Sequence, residues 1–208
     1  PATLYLAGPT GVGKTEVAVL VAEKLGAEIV GCDAYQIYQG LPILTAQPDE
    51  DARRRIPHHL IAEIPLTESM DVARYLALAE KRIADVHARG KPALVVGGTG
   101  MYLRALTRGL ADLPSGDPTL REELERMPPE ERTRRLREAD PPAYAQIDLH
   151  NPRRVIRALE VCILTGRPFS DFRTEWETPP TGCRGVFLNR SREELNERIN
   201  LRTLQMFQ

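Results

Sequence analysis

The segment Gly8-Pro9-Thr10-Gly11-Val12-Gly13-Lys14-Thr15 fits the pattern G-x-x-x-x-G-K-[ST], and its neighbours decide what it can be. Before it, Thr3 to Ala7 reads as a short buried strand. After it, Thr15 to Leu25 places Val17, Leu20, Val21 and Leu25 at helical spacing, with Gly26 as the stop. A strand that turns through glycines into a helix aims backbone N–H groups and the positive end of the helix at one point, as a polyphosphate requires. Lys14 neutralises phosphate oxygens and the Thr15 hydroxyl can hold Mg²⁺, so the run Gly8, Pro9, Thr10, Gly11, Val12, Gly13, Lys14 and Thr15 is assigned to pyrophosphate or nucleotide binding. This P-loop commits the N-terminal part of the chain to an α/β fold.

The following segments agree with that commitment. Strand candidates at Glu28 to Cys32, His59 to Ile64 and Ala93 to Val96 alternate with a helix from Val72 to about Ala88, whose Val72, Leu76, Ala79, Ile83 and Val86 point inward. Short links between alternating strands and helices predict a parallel, P-loop NTPase-like sheet flanked by helices. After Leu113 the pattern changes: Asp117-Pro118 and Asp140-Pro141 each read as an N-cap followed by proline, and Pro128-Pro129 breaks the stretch between them. A small helical insertion over 114–150 is expected, inside a discontinuous core of 1–113 and 151–208. Asn151-Pro152 opens a further helix that closes at Gly166, a Pro-rich loop around Pro179-Pro180 leads to a strand at Gly185 to Leu188, and Ser191 with Glu194 forms a capping box for a last helix. That helix shows no stop signal before Gln208 and the chain opens on Pro1 rather than Met, so sequence is expected to be missing at both ends.

Composition narrows the class. The formal net charge is −1, which carries no general phosphate footprint, so any nucleic-acid contact must be locally patterned. Residues 121–208 hold sixteen Arg and no Lys against fifteen Asp and Glu, an enrichment open both to phosphate contact and to plain helix propensity. No run approaches the roughly 18 consecutive apolar residues of a membrane span, and a cytoplasmic protein is expected. Cys32, Cys162 and Cys183 are odd in number and far apart, so they read as reduced packing residues.

The strand Ala93 to Val96 runs into Gly97-Gly98-Thr99-Gly100 without a carboxylate, and the Asn-Lys-x-Asp guanine signature is absent. Both absences argue against a motor or switch and for a transferase acting on a phosphorylated small molecule. Asp33 ends the second strand and Thr99 follows the fourth. Each stands where the carboxyl ends of strands face the ligand crevice, and each also reads as an ordinary turn residue. His58 and His59 point to opposite faces of a strand, which suits structural roles. Arg153, Arg157 and Glu160 share one helix face opposite the apolar positions, either a solvated face or a phosphate-facing stripe; Arg198 and Arg202 pose the same choice in the last helix. Trp176 reads as a packing or loop anchor.

Taken in order, Gly8 to Thr15, Asp33-Ala34-Tyr35-Gln36-Ile37-Tyr38, Thr45-Ala46-Gln47-Pro48, His58-His59-Leu60, Val96 to Tyr102, Asn151 to Val161 and Thr165-Gly166-Arg167-Pro168 resemble the successive motifs of the tRNA dimethylallyltransferase family. The resemblance implies transfer of a dimethylallyl group from dimethylallyl pyrophosphate to the exocyclic amine of the adenosine 3′-adjacent to the anticodon, with Mg²⁺ as cofactor. It implies Asp33 as general base, with Thr99, Lys14 and Arg198 as the other catalytic groups. It also implies contacts to the tRNA anticodon stem-loop from Asp33, Ala34, Tyr35, Gln36, Thr99, Arg121, Arg153, Arg154 and Arg157, in a protein expected to be a monomer. The chain departs from the family pattern at Ala34, where Ser is usual, at Pro42-Ile43-Leu44-Thr45-Ala46-Gln47-Pro48, where Asp-Ile-Gly-Thr-Ala-Lys-Pro is usual, and at Arg153, where Gln is usual. Two other readings stay open: an isopentenyltransferase or kinase acting on a free nucleotide, and a catalytically silent RNA-binding relative.

Overall fold

The computed structural model describes residues 1–172 and 182–207. The chain divides into two compact units, Pro1–Gly109 with Pro180–Gln208, and Leu110–Pro179. Trp176 and the Pro179-Pro180 loop lie outside the described residues. No described helix is long and apolar enough to cross a membrane.

The first unit is built on five parallel strands, β1 (Thr3–Ala7), β2 (Glu28–Cys32), β3 (His58–His59), β4 (Ala93–Gly97) and β5 (Arg184–Phe187). They lie in the order β3-β2-β4-β1-β5. Helices α1 (Lys14–Leu25), α2 (Glu50–Arg55), α3 (Val72–Ala88), α4 (Gly100–Arg108) and α9 (Arg192–Met206) belong to the same unit. The central strands are buried on both faces, so alternate residues feed two cores. Ile29 and Leu94 pack with Ala18, Val19 and Ala22 of α1. Val30 and Val95 pack with Tyr75, Ala79 and Val86 of α3 and Tyr102 of α4. Tyr75 is fully buried in that second core; its ring stacks on Tyr102 with centroids 3.8 Å apart, and its hydroxyl donates to the Gly31 carbonyl at 3.0 Å.

Three expectations need correction here. The third strand is only His58–His59, because Leu60 and Ala62 take positive φ of 58 and 53 and turn the chain out of the ladder, leaving one bridge between Tyr38 and Ile64. Helices α2 and α4 were not foreseen; glycines crowd the start of α4, and α2 spans only six residues. Cys183 is exposed rather than packed, whereas burial pushes the Cys32 thiol up to about 12 and keeps it inert.

Glu28 opens β2 and is only 3% exposed, so its charge needs partners. It receives hydrogen bonds from Arg89 Nη2 at 2.7 Å and Lys91 Nζ at 3.1 Å, and pairs with His59 Nε2 at 2.7 Å. His58 instead turns its Nδ1 to the Ile56 carbonyl, so both histidines serve the sheet edge. The Arg89 hydrogen bond, opposed by burial and helped by His59 and Lys91, holds the Glu28 carboxyl down to about 2, against an ordinary value of 4.5. A depressed carboxylate stabilises the fold fully above its unfolded value, and that stability is lost as pH falls through the folded value. The shift is worth roughly 3 kcal/mol. We therefore expect Glu28→Gln to lower unfolding free energy at pH 7 by roughly 2 to 3 kcal/mol, and the difference from the unaltered chain to shrink between pH 4.5 and 2. Urea melts over that range check both statements, and a variant as stable as the parent at pH 7 contradicts them.

The second unit contains α5 (Pro118–Arg126), α6 (Pro129–Ala139), α7 (Pro141–Gln146), α8 (Pro152–Thr165) and a 3₁₀ turn at Phe169–Phe172. Each of the four helices has proline in its first turn, where the missing N–H costs nothing. Pro128-Pro129, read as a break, is the start of α6. Asp117, Asp140 and Asn151 cap the other three through their side chains. Asp140 also accepts from the N–H and hydroxyl of Ser170, both at 2.7 Å, tying the 3₁₀ turn to α7. The unit extends beyond the 114–150 segment because the apolar face of α8, through Val155, Ile156, Ala158 and Leu159, packs with Leu124, Leu136 and Ala143.

Candidate active site

The glycine loop joins β1 to α1. Gly11 and Gly13 have φ of +82 and +97, left-handed values that let the chain curl without a Cβ penalty. A Cβ on Gly11 would also stand 2.9 Å from Ile199 Cγ1, so α9 lies directly on the loop. Arg198 Nε donates to the Gly11 carbonyl at 2.6 Å and Arg190 Nε to the Val12 carbonyl at 3.1 Å. The first-turn N–H groups of α1 have no intrahelical acceptor and carry the positive end of its dipole. Lys14 folds back, its Nζ donating to the carbonyls of Gly8 and Pro9, both at 2.8 Å. Burial pushes the Lys14 ammonium down; Asp33 opposes that shift and the charge of Arg202 adds to it.

The second wall comes from the carboxyl ends of β2 and β4, where Cys32 pairs with Gly97. A Cβ on Gly97 would sit 1.9 Å from the Cys32 carbonyl oxygen, so glycine is what lets the strands close there. That closure brings Thr99 to Asp33's turn. The Thr99 N–H donates to the Cys32 carbonyl at 3.3 Å, and its Oγ1 accepts from the Ala34 N–H at 3.0 Å, leaving the hydroxyl proton to donate elsewhere. Asp33 Oδ1 accepts from the N–H groups of Tyr35 at 2.9 Å and Gln36 at 3.2 Å, an Asx turn that fixes the carboxylate. Oδ2 takes no hydrogen bond from a described residue. The glycine loop is within reach, since a Cβ on Gly98 would meet the Gly8 carbonyl at 2.9 Å and Lys14 Nζ at 3.5 Å. Lys14, Asp33, Thr99 and the loop are thus one constellation at the carboxyl edge of a parallel sheet, where ligands of such sheets bind.

Two of the departures from the family pattern, Ala34 and Gln47, have structural accounts. Ala34 serves through its backbone N–H, so the lost hydroxyl does not unmake the Thr99 contact. Gln47 Nε2 donates to the carbonyls of Gln36 at 2.9 Å and Tyr38 at 2.7 Å, while its Oε1 accepts from Arg53 Nη2 at 3.0 Å. Lysine has no acceptor and could not complete that set. Gln36 Nε2 in turn donates to the carbonyls of Thr45 at 3.2 Å and Ala46 at 2.8 Å, so the turn after Asp33 is braced from both sides. Tyr35 is exposed.

The remaining candidates lie in the second unit. Arg153 and Arg154 are exposed. Arg121 and Arg157 are committed to Glu160, which is fully buried rather than part of a solvated face. Glu160, at one end of that face of α8, is the buried centre of an ion cluster, while Arg153 at its other end stays exposed. Arg190 was missed in the sequence, where it stands as an ordinary residue beside the Ser191 cap, and only its reach to Val12 shows its place.

Magnesium fits the donor set. Among the described residues no three His, Cys, Asp or Glu side chains gather into a metal cage. The Thr15 hydroxyl makes no hydrogen bond among the described residues. One hydroxyl beside a phosphate cradle suits a cation that keeps several waters and takes other ligands from substrate phosphate.

Comparisons with known proteins agree with this arrangement. A sequence model of the IPP transferase family matches residues 36–208. The chain is 44% identical over 206 residues to the tRNA dimethylallyltransferase of Akkermansia muciniphila, covering 99% of this chain and 70% of that protein. It is 43% identical over 207 residues to tRNA dimethylallyltransferase 1 of Citrifermentans bemidjiense, covering 99% and 68%. Among solved structures it resembles a eukaryotic dimethylallyltransferase acting on tRNA, with a TM-score of 0.84 at 28% identity, over 100% of this chain and 53% of that one. It also resembles the tRNA isopentenylpyrophosphate transferase of Bacillus halodurans, with a TM-score of 0.63 at 34% identity, over 99% and 66%. The chain belongs to the IPP transferase family, the family of the tRNA dimethylallyltransferases.

Proposed function

We propose that this protein transfers the dimethylallyl group of dimethylallyl pyrophosphate to the exocyclic N6 amine of the adenosine 3′-adjacent to the anticodon of tRNA, releasing pyrophosphate. The observation that carries this reading is the unengaged Oδ2 of Asp33, held by its Asx turn beside Lys14 and Thr99. In the step, the bond from N6 to the allylic carbon forms as the bond from that carbon to the diphosphate oxygen breaks. Asp33 takes the N6 proton as general base, and the bonding pair departs with the diphosphate. Lys14 releases the two loop carbonyls and, with Arg198 and the loop N–H groups, holds the leaving charge. Mg²⁺, held through Thr15, supplies further neutralisation of the diphosphate when bound. Thr99 uses its free proton to fix the reacting groups.

We assign the turn Asp33, Ala34, Tyr35 and Gln36 to the acceptor base, where an adenosine taken out of its stack is received. Exposed Arg153 and Arg154 suit phosphate contact, and Arg121 and Arg157 retain donors beyond those given to Glu160. A kinase reading is disfavoured because β4 ends in Gly97-Gly98-Thr99 and offers no carboxylate to a triphosphate-bound metal. The test is an assay with dimethylallyl pyrophosphate and Mg²⁺ on an anticodon stem-loop bearing adenosine at the target position, with AMP as competing acceptor. The stem-loop should be prenylated and AMP left essentially unmodified. Equal rates on both would move the protein to a free-nucleotide transferase, and consumption of ATP in place of the prenyl donor would make it a kinase.

A further inference from the structure

We infer that Gln47 is a positioning residue for the reaction: its amide, oriented by Arg53, fixes the segment after Asp33 and so aims the free Asp33 oxygen at the acceptor amine. The inference rests on the general-base reading of Asp33 given above and adds to it the residue that holds the base in place. Asp33 Oδ1 accepts from the N–H groups of Tyr35 and Gln36, so the direction of the carboxylate depends on where those two residues lie. Ile37 anchors the segment in the core, but Tyr35 is 72% exposed, and hydrogen bonds rather than packing set the rest of the turn. Its carbonyls are gripped from outside. Gln47 Nε2 donates to Gln36 at 2.9 Å and to Tyr38 at 2.7 Å, one on either side of Ile37.

The amide has no freedom left. Its nitrogen serves two carbonyls and its oxygen accepts from Arg53 Nη2 at 3.0 Å, a set that admits one orientation of the side chain. Arg53 is fixed in turn, because its Nε donates to the Pro48 carbonyl at 3.0 Å and it stands on α2, which Asp49 caps by accepting from the Ala52 N–H at 2.8 Å. The backbone that delivers Gln47 is strained. Ala46 takes a left-handed φ of 51, which costs a non-glycine residue energy and persists only where its surroundings impose it. Gln36 imposes it: its Nε2 donates to the Ala46 carbonyl at 2.8 Å and to that of Thr45 at 3.2 Å, while the Ala46 N–H donates to the Ile43 carbonyl at 3.0 Å. Each glutamine therefore holds the other's backbone. Strain of this kind collects where a group must be held in one place, and the group at the end of this chain of contacts is the Asp33 carboxylate.

The test is whether the effect of Gln47 passes through Asp33. Single-turnover prenylation of the anticodon stem-loop by dimethylallyl pyrophosphate with Mg²⁺ is measured at saturating substrates, on the full chain and on Gln47→Met, Gln47→Lys and Arg53→Met. Each change is repeated in Asp33→Asn, and all rates are taken below the melting temperature of every variant. Gln47→Met should slow the parent about 10- to 100-fold, the scale of displacing a reacting group by an ångström. In Asp33→Asn no base remains to be aimed, and the same change should alter the residual rate by less than about twofold. Arg53→Met keeps both carbonyl contacts and should cost less than Gln47→Met, again only where Asp33 is present. Gln47→Lys sets an ammonium against the Arg53 guanidinium and should be as damaging as Gln47→Met, and adding Arg53→Met to it should return part of the rate. A residue that only stabilises its loop would cost the same in both backgrounds; that result overturns the inference, as does an unchanged rate in Gln47→Met. Should Gln47→Met fail to fold, Arg53→Met in the two backgrounds decides by the same criterion. A parent that leaves the stem-loop unmodified, or an Asp33→Asn variant as fast as the parent, removes the general-base reading and the inference together. A parent that needs Asp33 but ignores Gln47 removes the inference alone.

Discussion

Asp33→Asn and Asp33→Ala should both cut single-turnover prenylation by about 10²- to 10⁴-fold, the usual contribution of a positioned general base. The two variants differ in what else they remove. Asn keeps a side-chain oxygen to accept from the Tyr35 and Gln36 N–H groups, so the turn survives while the basic oxygen is gone. Ala removes both the base and the turn's anchor, and with it the bracing that runs through Gln36 to the Thr45 and Ala46 carbonyls. Pyrophosphate binding belongs to the glycine loop and should change little in either variant. If Asn retained most of the parent's turnover while Ala lost it, the role of Asp33 would be to shape the turn, and proton removal would have to be assigned elsewhere.

Much of this site was legible in sequence because it is built from local backbone devices. A glycine loop between a strand and a helix, and an aspartate at the end of a strand, need only the neighbouring ten residues to be placed. Thr99 was legible for the same reason, as the first polar residue after β4. What brings it to Ala34 is Gly97's approach to Cys32 across two strands 65 residues apart in sequence, and no local pattern records that. The third strand failed in the opposite direction: His59 to Ile64 is apolar enough for a strand, but Leu60 and Ala62 adopt left-handed backbone that apolar residues rarely signal. Tyr75 is not among the inward positions expected of α3, yet it is fully buried and the Gly31 carbonyl satisfies its hydroxyl inside the core. In α8 the spacing predicts the shared face of Arg153, Arg157 and Glu160, but not that Glu160 is fully buried while Arg153 stays exposed. The arginine that buries Glu160 lies 39 residues earlier in the chain.

That buried acid should be the most costly single residue of the second unit to remove. Glu160 has no exposed surface and accepts from the Asp117 N–H at 2.8 Å, Arg121 Nε at 2.8 Å and Arg121 Nη2 at 3.1 Å, as well as from Arg157. Burial alone would raise its pKa; the hydrogen bonds from Arg121, Arg157 and the Asp117 N–H outweigh burial and leave it lowered. Its contribution is therefore present above the ordinary carboxylate range and fades as pH falls through the lowered value. Glu160→Ala leaves two guanidinium groups facing one another and unties the start of α5 from α8. A loss of about 3–5 kcal/mol is expected, as when one partner of a buried pair is removed. Replacing all three side chains by apolar ones, Arg121→Met, Arg157→Met and Glu160→Leu, should restore much of it, because no unpaired charge remains. Hydrogen exchange is the measurement that places the damage: α5 and α8 amides should lose protection in Glu160→Ala, while those of β2 and β4, in the other compact unit, keep theirs. Protection unchanged in α5 and α8 would mean that the cluster adds nothing to the unit's stability, and that Arg121 and Arg157 are held in place by something other than Glu160.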